Sequence, residues 1–313
     1  MRRKLITLLF AFGLLMSAVA QATDGVAFII EPGSSVKPGN ISYPAPSPEV
    51  LEAAEQTAEQ AKNQLQMGVI DKDEELQAQL AYQRLLLARG NQPPQQLQEV
   101  YNRIVELSRE REELITARHR AGAATDMALH TAQAQAAWAQ AEAVHNSTPA
   151  EYTRQLQTAQ RALTTLVQCC ENSYRNGLAG IEEKMVANIA LAEVCLALHY
   201  RSAERRQAAA HAQEAYDKLA ALYADRAREG LGSRKKEAEA NAAAALFRRE
   251  CARHISRNRS EVRRAQSQLC AALTAAQEQC TRNVANGLST VDELNAISAR
   301  LAAENARLRR ISR

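Results

Sequence analysis

The chain has 313 residues, is 46% hydrophobic but only 4% aromatic, and carries a formal net charge of +4. So few aromatic residues, among abundant Ala, Leu, Glu, Gln and Arg, exclude a large β-sandwich or barrel and point to long helices. Charges of both signs make up 24%, and they are too regularly patterned for a disordered chain.

Residues 1–22 read as an export signal. Arg2, Arg3 and Lys4 precede the apolar run Leu5 to Met16, and Ala18-Val19-Ala20 and Ala20-Gln21-Ala22 are small-x-small cleavage sites. No Cys follows that run, which argues against a lipid anchor. Three fewer basic residues than 39 leaves 36 against 35 acidic, a mature net charge near +1. Nucleic acid is therefore not an expected partner. Residues 23–47, with Pro32, Pro38, Pro44 and Pro46 among small residues, read as an extended linker or a small ordered strand. No later stretch is apolar over enough residues to span a bilayer, so the mature chain is expected to have no transmembrane segment and to reside in the periplasm or cell envelope.

Residues 48–313 contain an internal repeat. Gly68, Gly122, Gly177, Gly230 and Gly287 are separated by 54, 55, 53 and 57 residues, a near-constant period that signals duplication. Each is followed by an apolar residue: Val69, Ala123, Leu178, Leu231 and Leu288. The spacing predicts a helix-turn-helix, with glycine supplying the left-handed C′ position and the next residue folding back onto the last turn. Asp71, Thr125, Ser233 and Thr290 would cap the following helix, with Glu74 and Glu293 completing capping boxes.

Midway between the glycines a second set of turns is needed. Gly90-Asn91-Gln92-Pro93-Pro94 and Asn146-Ser147-Thr148-Pro149 are strong breakers, and the fourth midpoint reads Asn258-Arg259-Ser260. Arg201-Ser202 is weak, so the helices flanking it are open to being continuous. Stripes such as Tyr152, Leu156, Ala159, Leu163, Val167, Cys170, Tyr174 and Val262, Ala265, Leu269, Leu273, Ala276, Cys280 recur at spacings of three and four, the seam of packed antiparallel helices. The expected fold is all-α: five tandem antiparallel hairpins, about ten long helices, in a bundle or superhelix.

The run Asn286-Gly287-Leu288-Ser289-Thr290-Val291-Asp292-Glu293-Leu294, followed by Ala296 and Leu301-Ala302, resembles the outer-membrane efflux protein (TolC-type) family. Arg120-Ala121-Gly122-Ala123-Ala124-Thr125-Asp126-Met127-Ala128 is similar to it as well. The resemblance implies a TolC-like helical body whose turns lie at a periplasmic tip, where adaptor proteins of efflux and secretion machines dock. The chain departs from the family in having five units, Gly180 in place of a capping hydroxyl, and Arg234-Lys235-Lys236 where an acid is usual. None of the midpoints has room for the strands of a membrane barrel, so helical hairpins without a barrel are expected.

No nucleophile elbow, phosphate loop, dinucleotide fingerprint or zinc-protease motif is present, and neither an enzyme nor a cofactor is expected. Six cysteines in an exported chain permit disulfides, and Cys251 with Cys270 is the candidate pair, symmetric about the fourth midpoint. Cys195 with His199 and Cys251 with His254 place two soft ligands each on one helix face, the remotest form of a metal site. Arg248, Arg249, Arg253, Arg257, Arg259, Arg263 and Arg264 crowd that same midpoint, either as a solvated basic end or as a site for phosphate groups of anionic lipids. The acidic run Asp71-Lys72-Asp73-Glu74-Glu75 predicts that the first glycine tip differs in field.

These residues point to an exported, non-enzymatic helical protein acting through helix contacts with envelope partners, such as a periplasmic adaptor, or with itself. The glycines and the apolar residues after them would be the docking turns. The alternative is a coiled-coil-like scaffold with no transport role.

Overall fold

Every odd-numbered reversal of the chain is a glycine turn, and between these turns the helices alternate in length. The computed structural model describes residues 48–89, 92–199 and 202–312, with Ile30, Val36 and Pro46 before them. The export signal lies outside the described residues, as does most of the segment 23–47.

Ten α-helices are present among the described residues, with no strand: α1 (Pro48–Gln66), α2 (Lys72–Ala88), α3 (Pro94–Arg120), α4 (Asp126–Ala143), α5 (Pro149–Arg175), α6 (Ile181–Leu198), α7 (Ser202–Arg228), α8 (Arg234–Cys251), α9 (Arg259–Ala285) and α10 (Val291–Ser312). The all-α hairpin architecture is therefore as expected. The lengths are not uniform: α3, α5, α7 and α9 have 27 residues each, whereas α4, α6 and α8 have 18. At 1.5 Å per residue the two classes are about 40 and 27 Å long.

Composition accounts for the two classes. A long helix such as α5 buries one stripe, Leu156, Ala159, Leu163, Leu166 and Cys170, and α9 buries Ala265, Leu269, Leu273, Ala276 and Cys280. A short helix is apolar on several sides. In α6, Val186, Ala187, Ile189, Ala190, Val194 and Leu196 are all buried, and in α8 Ala242 to Phe247 are buried without interruption. Consecutive buried positions require neighbours on more than one flank. Accordingly α6 lies between α5 and α7, and α8 between α7 and α9.

The described residues form two units, one holding α1–α4 and one holding α5–α10 together with Ile30 and Val36. In the first, Ile104 and Val105 of α3 meet Ala139 of α4, with Leu80 and Leu87 of α2 packed against them. In the second, Leu246 of α8, Leu269 and Leu273 of α9 and Leu301 of α10 share one core. Ile30 and Val36 are buried in the second unit, and Arg205 Nη2 donates to the Val36 carbonyl at 3.3 Å. Part of the segment read as linker is thus tied to α7.

Two midpoints add detail to the sequence reading. At the weak breaker the helices are separate, as the ten-helix expectation requires. His199 turns extended (φ −85°, ψ 116°), and α7 runs back against α6. At the fourth midpoint α8 continues into a π turn, Ala252–Ser256, and Arg257 adopts a left-handed conformation (φ 56°) before Asn258 caps α9. Among the described residues no helix is long and apolar enough to cross a membrane.

Candidate docking site at the glycine turns

All five repeat glycines are left-handed, with φ between 67° and 73°. A Cβ on any of them would meet nothing within 4 Å, so the backbone angle alone demands glycine. The residue after each glycine donates its amide to the carbonyl five residues back: Val69 to Gln64, Ala123 to Arg118, Leu178 to Ser173, Leu231 to Arg226 and Leu288 to Asn283, at 2.8–2.9 Å. This is the longer bond of a Schellman cap. The next helix is then opened by side chains. Asp71 and Glu74 form a complete capping box, Thr125 accepts from Ala128, Ser233 from Lys235 and Thr290 from Glu293. The Glu293 carboxylate reaches Lys235 at 3.1 Å.

One expectation fails here, and its failure defines the site. The apolar residues do not fold back onto the preceding helix. Val69 is 67% exposed, Leu178 78%, Leu231 77% and Leu288 72%, and Ala123 is exposed too. A Schellman cap normally sets this residue against an apolar one five positions earlier. Here those positions are Gln64, Arg118, Ser173, Arg226 and Asn283, all polar, so no apolar ledge receives the side chain. Met67 and Val291 add to the exposed apolar surface at the first and fifth turns.

Neighbouring turns are tied by ion pairs. In the first unit Arg118 at the end of α3 meets Asp71 at the start of α2 at 3.1 Å. In the second unit Arg226 at the end of α7 pairs with Glu182 of α6, which also accepts from Tyr223 Oη at 3.1 Å. Lys235 of α8 pairs with Glu293 of α10. The turns in each unit are thereby held in fixed register. The acidic run at the first turn is largely consumed in such pairs: Asp73 binds Arg111 at 2.6 Å, Glu75 is buried against Lys72, and Lys72 also reaches Glu110. Burial would raise the Asp71 pKa, but the amides of Glu74 and Asp73 together with Arg118 outweigh it and hold the carboxyl below its ordinary value.

The cysteine and histidine candidates are not gathered. All six cysteines are free. Cys270 sits in the α8–α9–α10 core with Leu246 and Leu273, whereas Cys251 lies towards Glu193 and Arg205 on the α6–α7 side. Cys251 of α8 and Cys270 of α9 have different neighbours, and the proposed bridge does not form. Cys195 accepts from Gln160 at 3.4 Å, His199 faces Glu204 and His254 faces Glu250. Among the described residues no three potential ligands are placed to share a metal ion. Burial pushes the Cys170 thiol up to about 11 and raises Cys251 as well, so neither is a ready thiolate at neutral pH.

The sequence reading missed a buried ionic cluster. Arg249 is 2% exposed, 2.7 Å from Glu250 and 3.2 Å from Glu304, and Gln266 donates to Glu304 at 2.9 Å. It joins α8, α9 and α10. Its only sequence signal was a pair of charges on otherwise apolar faces, Arg249 after Phe247 and Glu304 after Leu301.

No protein-family model, curated protein or solved structure matches this chain.

Proposed function

We propose that the chain is an exported, non-enzymatic docking protein of the cell envelope, related to TolC-type helical hairpins, which presents its glycine turns to a helical partner such as a periplasmic adaptor. The observation carrying this reading is the exposure of Val69, Leu178, Leu231 and Leu288 at turns whose hydrogen bonds are complete without them. A helix cap needs the glycine, not a large apolar side chain held in water. Each exposed leucine forgoes about 1.5–3 kcal/mol of burial, which a partner's apolar groove would recover. The ion pairs between turns support the same reading, because pre-set spacing lowers the ordering cost of binding.

Titration of the purified chain against a purified hairpin adaptor tests it. Binding abolished by the triple change Leu178→Asp, Leu231→Asp and Leu288→Asp, with the melting temperature unchanged, is the expected result. Unaltered binding, or none by the parent chain to any hairpin adaptor, favours the scaffold.

A further inference from the structure

The antiparallel course of α5–α10 puts the glycine turns of the second unit at one end and its other reversals at the opposite end. That opposite end is lined with arginine. Of the seven arginines around the fourth midpoint, Arg249 is buried and Arg248 is held by Asp217 at 2.9 Å. Arg253, Arg257, Arg259, Arg263 and Arg264 are exposed. The fold adds two more from a distant part of the chain. Arg259 Nη2 donates to the Ile311 carbonyl at 3.3 Å, which brings the end of α10, with exposed Arg309 and Arg310, beside the start of α9.

Carboxylates are scarce on this face. Glu250 and Glu304 are buried and occupied by Arg249, Arg253, His254 and Arg307. Glu261 is exposed and engaged by Ser256. Arg257 is also the one non-glycine residue with positive φ among those described. Left-handed backbone costs an ordinary L-residue about 1–2 kcal/mol. Every other left-handed turn here is glycine, yet this one keeps an arginine at the centre of the cluster, the pattern of strain retained for a function.

We infer that this arginine face docks on a bilayer surface bearing anionic phospholipid headgroups. Guanidinium groups match phosphate oxygens in bidentate fashion. Seven of them, spread over the π turn, α9 and α10, suit an array of headgroups better than one bound phosphate. Half-buried Ile255 and Ile311 lie at the same end, suited to shallow contact below the headgroups. Residues 248–313 contain no Phe, Tyr or Trp, and the one imidazole there, His254, faces Glu250, so the face lacks the stacking platform that single-stranded nucleic acid uses. Docked this way, the second unit would hold its three glycine turns about 40 Å from the headgroups, the length of a 27-residue helix.

Co-sedimentation of the full chain with vesicles tests the inference. One set is pure phosphatidylcholine and the other equal parts phosphatidylcholine and phosphatidylglycerol. Binding to the anionic vesicles alone, weakened by salt, is expected. Each arginine contributes about five-fold to partitioning, so R309Q/R310Q should lower it about thirty-fold, and adding R263Q/R264Q should abolish it. R228Q/R282Q, which removes two exposed arginines beside the fourth and fifth glycine turns, should leave it unchanged. Equal binding to both vesicle types, no binding, or equal loss in the R228Q/R282Q variant would overturn the inference. So would competition by inorganic tripolyphosphate at equimolar phosphate, which would assign the face to a free polyanion.

Discussion

Lys235 at the start of α8 places its Nζ 3.1 Å from Glu293 Oε1 at the start of α10, 58 residues further along the chain. The two side chains are only 29% and 18% exposed, so the pair ties the fourth glycine turn to the fifth with limited screening. A double-mutant cycle with Lys235→Ala and Glu293→Ala should give a coupling of about 0.5–1 kcal/mol by urea unfolding, decreasing as salt rises. Zero coupling would remove the pair as a spacer between turns.

The glycines and the leucines beside them should respond oppositely to substitution. Gly177→Ala should cost about 1–2 kcal/mol, because only the left-handed angle is offended, and Gly177→Asn should cost less. Gly232→Ala should destabilise for a steric reason, since a Cβ there would stand 2.8 Å from Arg226 Cβ. Leu178→Asp and Leu231→Asp should change stability by no more than about 0.5 kcal/mol, as exposed substitutions do. Thermal melts of the single variants distinguish the two groups.

The buried cluster predicts a non-additive result. Glu304→Ala leaves buried Arg249 with Glu250 as its remaining carboxylate and takes the side-chain acceptor from Gln266, and should cost about 1–3 kcal/mol. Converting the partners together, Arg249→Met with Glu304→Leu, should recover most of that loss, because apolar side chains of similar size avoid the desolvation of both ions. Equal destabilisation of the single and double variants in denaturant would contradict this account of α8–α10.

Acid should loosen the first turn. The folded pKa of Asp71 lies below the ordinary value of 3.8, so its stabilising contribution is complete above that value and is lost as pH falls through the lower folded pKa. Asp71→Asn should remove that part of the acid dependence while leaving stability flat near neutrality apart from a constant offset. Unfolding midpoints measured from pH 2 to about 6 span this window.

Much of the fold was legible because glycine has a conformational meaning independent of context. A left-handed C′ residue is nearly always glycine, so five at constant period marked five turns, and all five have positive φ. The seams on α5 and α9 were legible because one-sided burial leaves a spacing of three and four. The short helices were not, since burial on several flanks erases that periodicity, as in Ala242–Phe247. The break expected near Ser202 gave only a weak signal because an extended residue, His199, closes α6 there without Gly or Pro. The exposure of Leu178, Leu231 and Leu288 was readable in principle: the polar residues Ser173, Arg226 and Asn283 five positions earlier leave nothing to fold back onto. Pairings such as Lys235 with Glu293 depend on stacking between hairpins, which no local pattern encodes.

The central claim is that the apolar residues of the glycine turns meet a partner. Its most direct test is to place a photo-cross-linking amino acid at Leu178, Leu231 or Leu288, and at Thr158 on the outer face of α5 as a control, in the native host. The account predicts a cross-link from all three turn positions to the same envelope protein and none from position 158. Absence of any product at the turns, or the same product at position 158, would contradict it.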